Sequence, residues 1–188
     1  MHDRRFDPRH AHRLLGRERE EQWQPRRFLR DIGITAGHTV ADLGCGPGFW
    51  TLPLADVVTE RGNVWALDVS PEMLRILREQ QPPAHVRPVL SAFPAIPLPH
   101  HSVDWAWAAF IFHEVLPHPV FAAAMRRVVR PGGTAAVLEW RPDAASTHGP
   151  PRDHRLWPEQ VIEWLEAAGF ESVRVGWRNE DTYLILAT

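Results

Sequence analysis

The stretch Val40-Ala41-Asp42-Leu43-Gly44-Cys45-Gly46-Pro47-Gly48-Phe49-Trp50-Thr51 decides how this chain is read. An apolar strand runs into a turn with glycine at every second position, and a helix-like segment follows. Twenty residues past Gly48, a second apolar run, Asn63-Val64-Trp65-Ala66-Leu67-Asp68, ends in an acid. This is how an α/β domain holds a nucleoside-containing ligand: the glycines let backbone approach it, and the distant carboxylate accepts hydrogen bonds from ribose hydroxyls. A dinucleotide fingerprint wants glycine or alanine where Phe49 stands, so that helix and strand close around a pyrophosphate. The bulk of Phe49 argues against a pyrophosphate and tolerates a smaller nucleoside.

Reading outward, residues 1–37 form an N-terminal helical extension, with Pro25 near the start of a segment reaching Gly33. Strands are expected at 38–43 and 63–68, with a helix at 49–60 between them. Ser70 caps a second helix and Pro71 takes its first position. A short third strand spans 86–90, and Pro88 inside it marks a sheet edge. After a proline-rich loop, 104–112 is almost continuously apolar, as a strand buried on both faces should be. A helix at 119–130 is stopped by Pro131-Gly132-Gly133, and a fifth strand spans 134–140. A long polar loop, 141–156, precedes a helix at 158–168 and two closing strands at 172–177 and 182–187. Alternating strands and helices imply a parallel sheet with right-handed crossovers. The last two strands have no helix between them and should be antiparallel neighbours.

Composition narrows the chemistry. The 188 residues suit one domain, 44% hydrophobic and 23% charged, with net charge −2. No apolar run approaches the roughly 20 residues of a membrane span, and the His- and Arg-rich start has no apolar core of a secretory signal. The single cysteine, Cys45, excludes an internal disulfide and a multi-cysteine metal site. A cytoplasmic protein is expected. All 21 basic residues are arginine, which excludes a Schiff-base lysine and the lysine of a triphosphate-binding loop. Residues 1–30 carry net +4 and the remainder −6. Because Glu18, Glu20 and Glu21 interleave with Arg17 and Arg19, the basic start reads as a solvated helix pair. Nothing marks a nucleic-acid partner. The run His113-Glu114-Val115-Leu116-Pro117-His118 is no zinc motif: the second histidine is five residues on and Pro117 breaks the helix. No metal is expected.

The glycine turn, Asp68, the terminal hairpin and the Arg130-Pro131-Gly132-Gly133 turn together resemble class I S-adenosylmethionine-dependent methyltransferases. The stretch Pro97-Leu98-Pro99-His100-His101-Ser102-Val103-Asp104 looks like the small bacterial members of the ubiquinone/menaquinone-biosynthesis type. The resemblance implies a Rossmann-like α/β fold. Its mostly parallel seven-stranded sheet has the order 3-2-1-4-5-7-6, strand seven antiparallel, with helices on both faces. It makes residues 38–188 the methyltransferase domain and S-adenosylmethionine the cofactor, leaving S-adenosylhomocysteine as product.

In that frame Gly44, Cys45, Gly46, Gly48 and Phe49 form the cofactor turn, and Asp42 partners the ligand's ammonium group or, more simply, caps the turn. Asp68 takes the ribose hydroxyls. Val69 and Met73 are placed to cover the adenine and are equally placed as core. The family often carries an acid after strand three that meets the adenine amino group; here Ser91, Ala92 and Phe93 stand there instead. The end of strand four, with Phe110, falls beside the transferable methyl. His113 is the candidate base or substrate orienter and Glu114 the second, with a structural tie to a loop as the alternative for His113. Glu139, Trp140, His148, Arg152 and His154 line an expected substrate side, and the long loop reads as a lid or wall. A small, partly apolar acceptor is expected, with the chain a monomer or homodimer. An arsenite acceptor would need several cysteines. The competing readings are a non-catalytic binding subunit with the same fold, and a nicotinamide-dependent oxidoreductase.

Overall fold

The computed structural model describes residues 8–146 and 148–188. Residues 1–7 of the expected N-terminal extension lie outside them. The chain divides into two compact units, one up to Ala92 and the other from Phe93 onward.

The first unit opens with a 3-10 segment, Pro8–Leu14, and two short helices, α1 (Arg17–Trp23) and α2 (Pro25–Asp31). Gln24 takes a left-handed conformation between them (φ 44°), and Pro25 occupies the first turn of α2, where its missing N–H costs nothing. There follow β1 (Thr39–Leu43), α3 (Thr51–Val58), β2 (Asn63–Asp68), α4 (Pro71–Glu79) and β3 (Val86–Leu90). As the sequence implies, Ser70 caps α4: its Oγ accepts from the Met73 N–H at 3.3 Å. β1 pairs in parallel with β2, and β2 with β3. α3 packs against β1, β2 and α2, and α4 against β2 and β3.

Gly62 lets β2 start beside β1. A Cβ there would lie 2.3 Å from the His38 carbonyl oxygen and 2.7 Å from the Val58 Cβ. The first of these is main chain and cannot swing aside. Gly62→Ala should therefore cost about 3 kcal/mol, as overpacking does, read as a lower urea midpoint; an unchanged midpoint would mean the β1–α3 joint gives way freely.

The second unit holds β4 (Val103–Ala109), a 3-10 turn at Phe112–Glu114, α5 (His118–Val128), β5 (Val129–Trp140), a 3-10 turn at Arg152–His154, α6 (Pro158–Ala167), β6 (Val173–Arg178) and β7 (Thr182–Ala187). β4 and β5 are parallel, while β7 runs antiparallel to both β5 and β6. β4 is buried from Val103 to Ala108 and β7 throughout, matching their largely apolar sequences.

The seven strands have the order β3-β2-β1-β4-β5-β7-β6, with helices packed around the sheet. Pro88 sits on the edge strand β3, where its missing N–H interrupts no second ladder. The sheet order is the one the family resemblance implies, but two local features differ from the sequence reading. Pro131-Gly132-Gly133 does not precede the fifth strand; it lies within β5, whose ladder with β4 shifts register between Val103 and Trp105. β4 ends at Ala109 rather than at residue 112, because Phe110 turns into the left-handed region (φ 60°) and breaks the extended run. Among the described residues, no helix is long and apolar enough to cross a membrane.

Candidate active site

The glycine turn leaves β1 and is closed from below by β2. The N–H groups of Gly44 and Cys45 both donate to the Leu67 carbonyl, at 2.8 and 2.9 Å. The carboxylate of Asp68 then ties the turn: Oδ2 accepts from the Gly46 N–H and Oδ1 from the Ser70 N–H, each at 2.8 Å. Burial pushes the Asp68 pKa up, while these backbone donors pull it down. Gly46 (φ 54°) and Gly48 (φ 105°) occupy left-handed backbone that side chains resist. At Gly48 space is also short, since a Cβ would lie 2.6 Å from Leu77 Cδ1 on α4. The side chain of Gln80, just past α4, donates to the Pro47 carbonyl and holds the turn from that side.

Asp42, at 1% exposure, accepts a hydrogen bond from Thr51 Oγ1 at 2.6 Å. Burial, and secondarily the Asp68 charge, push its pKa up to about 7, against the Thr51 hydrogen bond. Thr51 lies in the quoted stretch, but its hold on Asp42 was not read from the sequence. Cys45 is buried beside both acids, which drives its thiol pKa well up. The ring of Phe49 lies half-exposed, edge-on to Trp50 and under the guanidinium of Arg19 at 4.3 Å.

Val69 is half-buried and Met73 buried. The Ser91 N–H donates to the Asp68 carbonyl at 2.9 Å, so strand β3 delivers its end to the same acid. Ala92 is exposed. Phe93 begins the second unit, where its ring packs 5.4 Å from Phe121.

In the second unit the structure joins two residues that sequence reasoning had put to separate uses. Ala109, the last residue of β4, faces Leu138 on β5, so Glu139 lies one residue beyond the level at which β4 ends. His113 follows on the 3-10 turn, 3% exposed, with its Nδ1 at 2.9 and 3.0 Å from the two carboxylate oxygens of Glu139. Glu139 is fully buried and also accepts the backbone N–H groups of His113, at 3.1 Å, and Trp140, at 3.2 Å. Its oxygens are thus engaged by His113 and by main chain rather than turned outward to a substrate. Glu114 Oε1 lies 3.9 Å from His113 Nε2.

The rings of Phe110 and Trp140 lie 5.2 Å apart. Loop 141–156 packs on Trp140 through Gly149, where a Cβ would come within 2.6 Å of the indole. Arg155, not singled out in the sequence, holds this loop: its guanidinium donates to the carbonyls of Pro150, Arg141 and His148. Arg152 donates to the Ala144 carbonyl at 2.9 Å, His148 pairs with Ser146, and His154 is half-buried. These contacts tie described residues of the loop to one another and to the end of β5.

Comparison with known proteins now bears on this geometry. A family model described as a methyltransferase domain matches residues 40–133, half of the chain. A crystal structure of a SAM-dependent methyltransferase from Aquifex aeolicus is 32% identical. It covers 97% of this chain and 98% of its own, with a TM-score of 0.89. The chain belongs to the class I S-adenosylmethionine-dependent methyltransferase family. Within this family it resembles demethylmenaquinone methyltransferase of Staphylococcus aureus, 29% identical over 127 residues, which are 67% of this chain and 52% of that protein. The chain thus spans about half the length of the curated relatives it matches. The methyltransferase fold is shared more widely: an S-adenosylmethionine-dependent methyltransferase from Mesorhizobium loti, 18% identical, covers 86% of this chain and 97% of its own with a TM-score of 0.69.

Proposed function

We propose that this protein transfers a methyl group from S-adenosylmethionine to a small, partly apolar acceptor, with His113 as the base that takes the acceptor's proton. The observation that carries the donor half is the pair of hydrogen bonds by which Asp68 ties Gly46 and Ser70. They fix a carboxylate at the end of β2, where three backbone N–H groups bear on it, and a carboxylate offers about four acceptor positions, so acceptor capacity remains for the ribose. Asp42 suits the donor's ammonium group. A buried carboxylate raised to about 7 gains from a cation placed beside it.

When bound, the donor supplies a methyl carbon on a cationic sulfur, already activated for displacement. The protein's task is alignment and exclusion of water, which can be worth roughly 7–11 kcal/mol of barrier. Glu139 adds direction. By accepting from His113 Nδ1–H it selects the tautomer whose basic lone pair sits on Nε2, the atom at which a proton leaving an acceptor is received. Glu139 is accordingly a positioning residue. The name of the curated relatives, demethylmenaquinone methyltransferase, supports a small apolar acceptor.

Calorimetric titration with S-adenosylmethionine, S-adenosylhomocysteine and NAD tests the donor; binding of NAD with no binding of either sulfur ligand would sink the reading. A screen with methyl-labelled donor over phenols, enols, amines and thiols tests the acceptor. Asp68→Ala should weaken S-adenosylhomocysteine binding at least tenfold, about 1.4 kcal/mol, through the lost charged hydrogen bonds. Unchanged affinity would remove Asp68 from the ribose site.

A further inference from the structure

The amino-acid tail of the donor carries a carboxylate as well as an ammonium group. The two acids assigned so far, Asp42 and Asp68, are both buried, and a further anion beside them needs a cation. Within the unit up to Ala92, the N-terminal segment brings one to the glycine turn. The guanidinium of Arg19, on α1, lies 4.3 Å from the centroid of the Phe49 ring, and Phe49 directly follows Gly48. Arg19 Nη1 donates to the Leu14 carbonyl at 3.4 Å. Leu14 Cδ1 in turn lies 3.7 Å from where a Cβ on Gly46 would stand. Leu14 and Arg19 therefore flank the turn, one over Gly46 and the other over Phe49.

This placement is anchored. Trp23 and Phe28 set their rings 5.6 and 5.9 Å from that of Trp50, the residue after Phe49. Arg26 pairs with Asp56 on α3 at 2.6 Å. The contact with Phe49 is made by the carbon centre of the guanidinium, whose planar fork of N–H donors is the geometry that matches a carboxylate. Burial against the aromatic face lowers the Arg19 pKa to about 10, so an anion beside it relieves a desolvated charge.

We propose that Arg19 binds the α-carboxylate of the donor, so that the N-terminal helical extension completes the cofactor site rather than merely decorating it. The proposal rests on the reading that the donor is S-adenosylmethionine. It assigns the donor's two tail charges to different parts of the chain: the ammonium to Asp42 near the end of β1, the carboxylate to Arg19 on α1.

The test compares S-adenosylhomocysteine with 5′-methylthioadenosine, which keeps the nucleoside and sulfur but lacks the amino-acid tail. Both are titrated into the wild-type protein and into Arg19→Gln. The variant should bind S-adenosylhomocysteine roughly tenfold to a hundredfold more weakly, the scale of a bidentate charged pair, and 5′-methylthioadenosine with wild-type affinity. Arg19→Lys should recover part of the loss. An equal loss for both ligands would make Arg19 a brace for the turn and overturn the proposal, as would unchanged affinity for S-adenosylhomocysteine. If the wild-type protein binds neither ligand, the donor reading itself fails and this assignment falls with it.

Discussion

Asp42→Asn is expected to stabilise the ligand-free protein at pH 8 by up to about 4 kcal/mol, while leaving it nearly unchanged at pH 4. The sign follows from the direction of the shift. The Asp42 pKa is about 7 in the folded chain against 3.8 ordinarily, so between those values the folded state holds a proton that the unfolded state gives up. Folding stability therefore falls as pH rises from about 4 to about 7, and stays low above that. Asparagine carries no charge to bury, and its amide oxygen can still accept from the Thr51 hydroxyl. Urea unfolding of both proteins at the two pH values reads the effect; an equal difference at pH 4 and pH 8 would contradict it. The same substitution should weaken S-adenosylhomocysteine binding at pH 8 at least tenfold, since a charged partner for the ammonium is lost. The wild-type protein should bind that ligand better at pH 7.5 than at pH 5.5 and release protons on binding at the lower pH. In the proposed role Asp42 trades stability for ligand binding, as functional acids often do.

Glu139→Gln should lower turnover by roughly a hundredfold to ten-thousandfold, the range of a general base put in the wrong state. Glutamine fits the same space, but with one acceptor atom in place of two it keeps only one of the two main-chain hydrogen bonds, from His113 or from Trp140. Its amide N–H groups, however, would face His113 Nδ1 and favour the opposite tautomer, with the proton on Nε2. S-adenosylhomocysteine affinity should not change. Nitrogen NMR of the imidazole gives a readout independent of any acceptor. The wild-type ring should carry its proton on Nδ1 and the variant should not. A variant with full turnover, or with an unaltered tautomer, would reduce the pair to a structural tie.

Much of this molecule was legible along the chain because its signals are local. Apolar runs bounded by glycine and proline mark the strands, and Ser70-Pro71 announces a helix start that the Met73 N–H confirms. Asp68 was legible from its distance to the turn, because a strand-turn-helix-strand unit has a nearly fixed length. What escaped reading depends on contacts far apart in sequence. His113 and Glu139 are separated by 26 residues and meet because β4 and β5 pair in parallel. His113 stands just past the end of β4 and Glu139 at the penultimate position of β5, the one hint the sequence offered. Arg155 is one arginine among 21, and nothing local foretells that it collects three loop carbonyls. Arg19 looked like part of a solvated charge pattern, because its neighbours Glu18, Glu20 and Glu21 are what local periodicity sees. The approach to Phe49 is tertiary. Pro131-Gly132-Gly133 misled for the opposite reason. Its local turn chemistry is strong, and the ladder to β4 overrides it by shifting register.

The division of the chain at Ala92 has an evolutionary consequence. The residues proposed to hold the donor's tail and ribose, Arg19, Asp42 and Asp68, are all encoded before that point. The His113–Glu139 pair and the loop pinned by Arg155 are all encoded after it. One genetic crossover near codon 92 would pass on these proposed donor contacts together while exchanging the His113–Glu139 pair and the loop pinned by Arg155. A lineage built this way can diversify its products without relearning how to hold its methyl source.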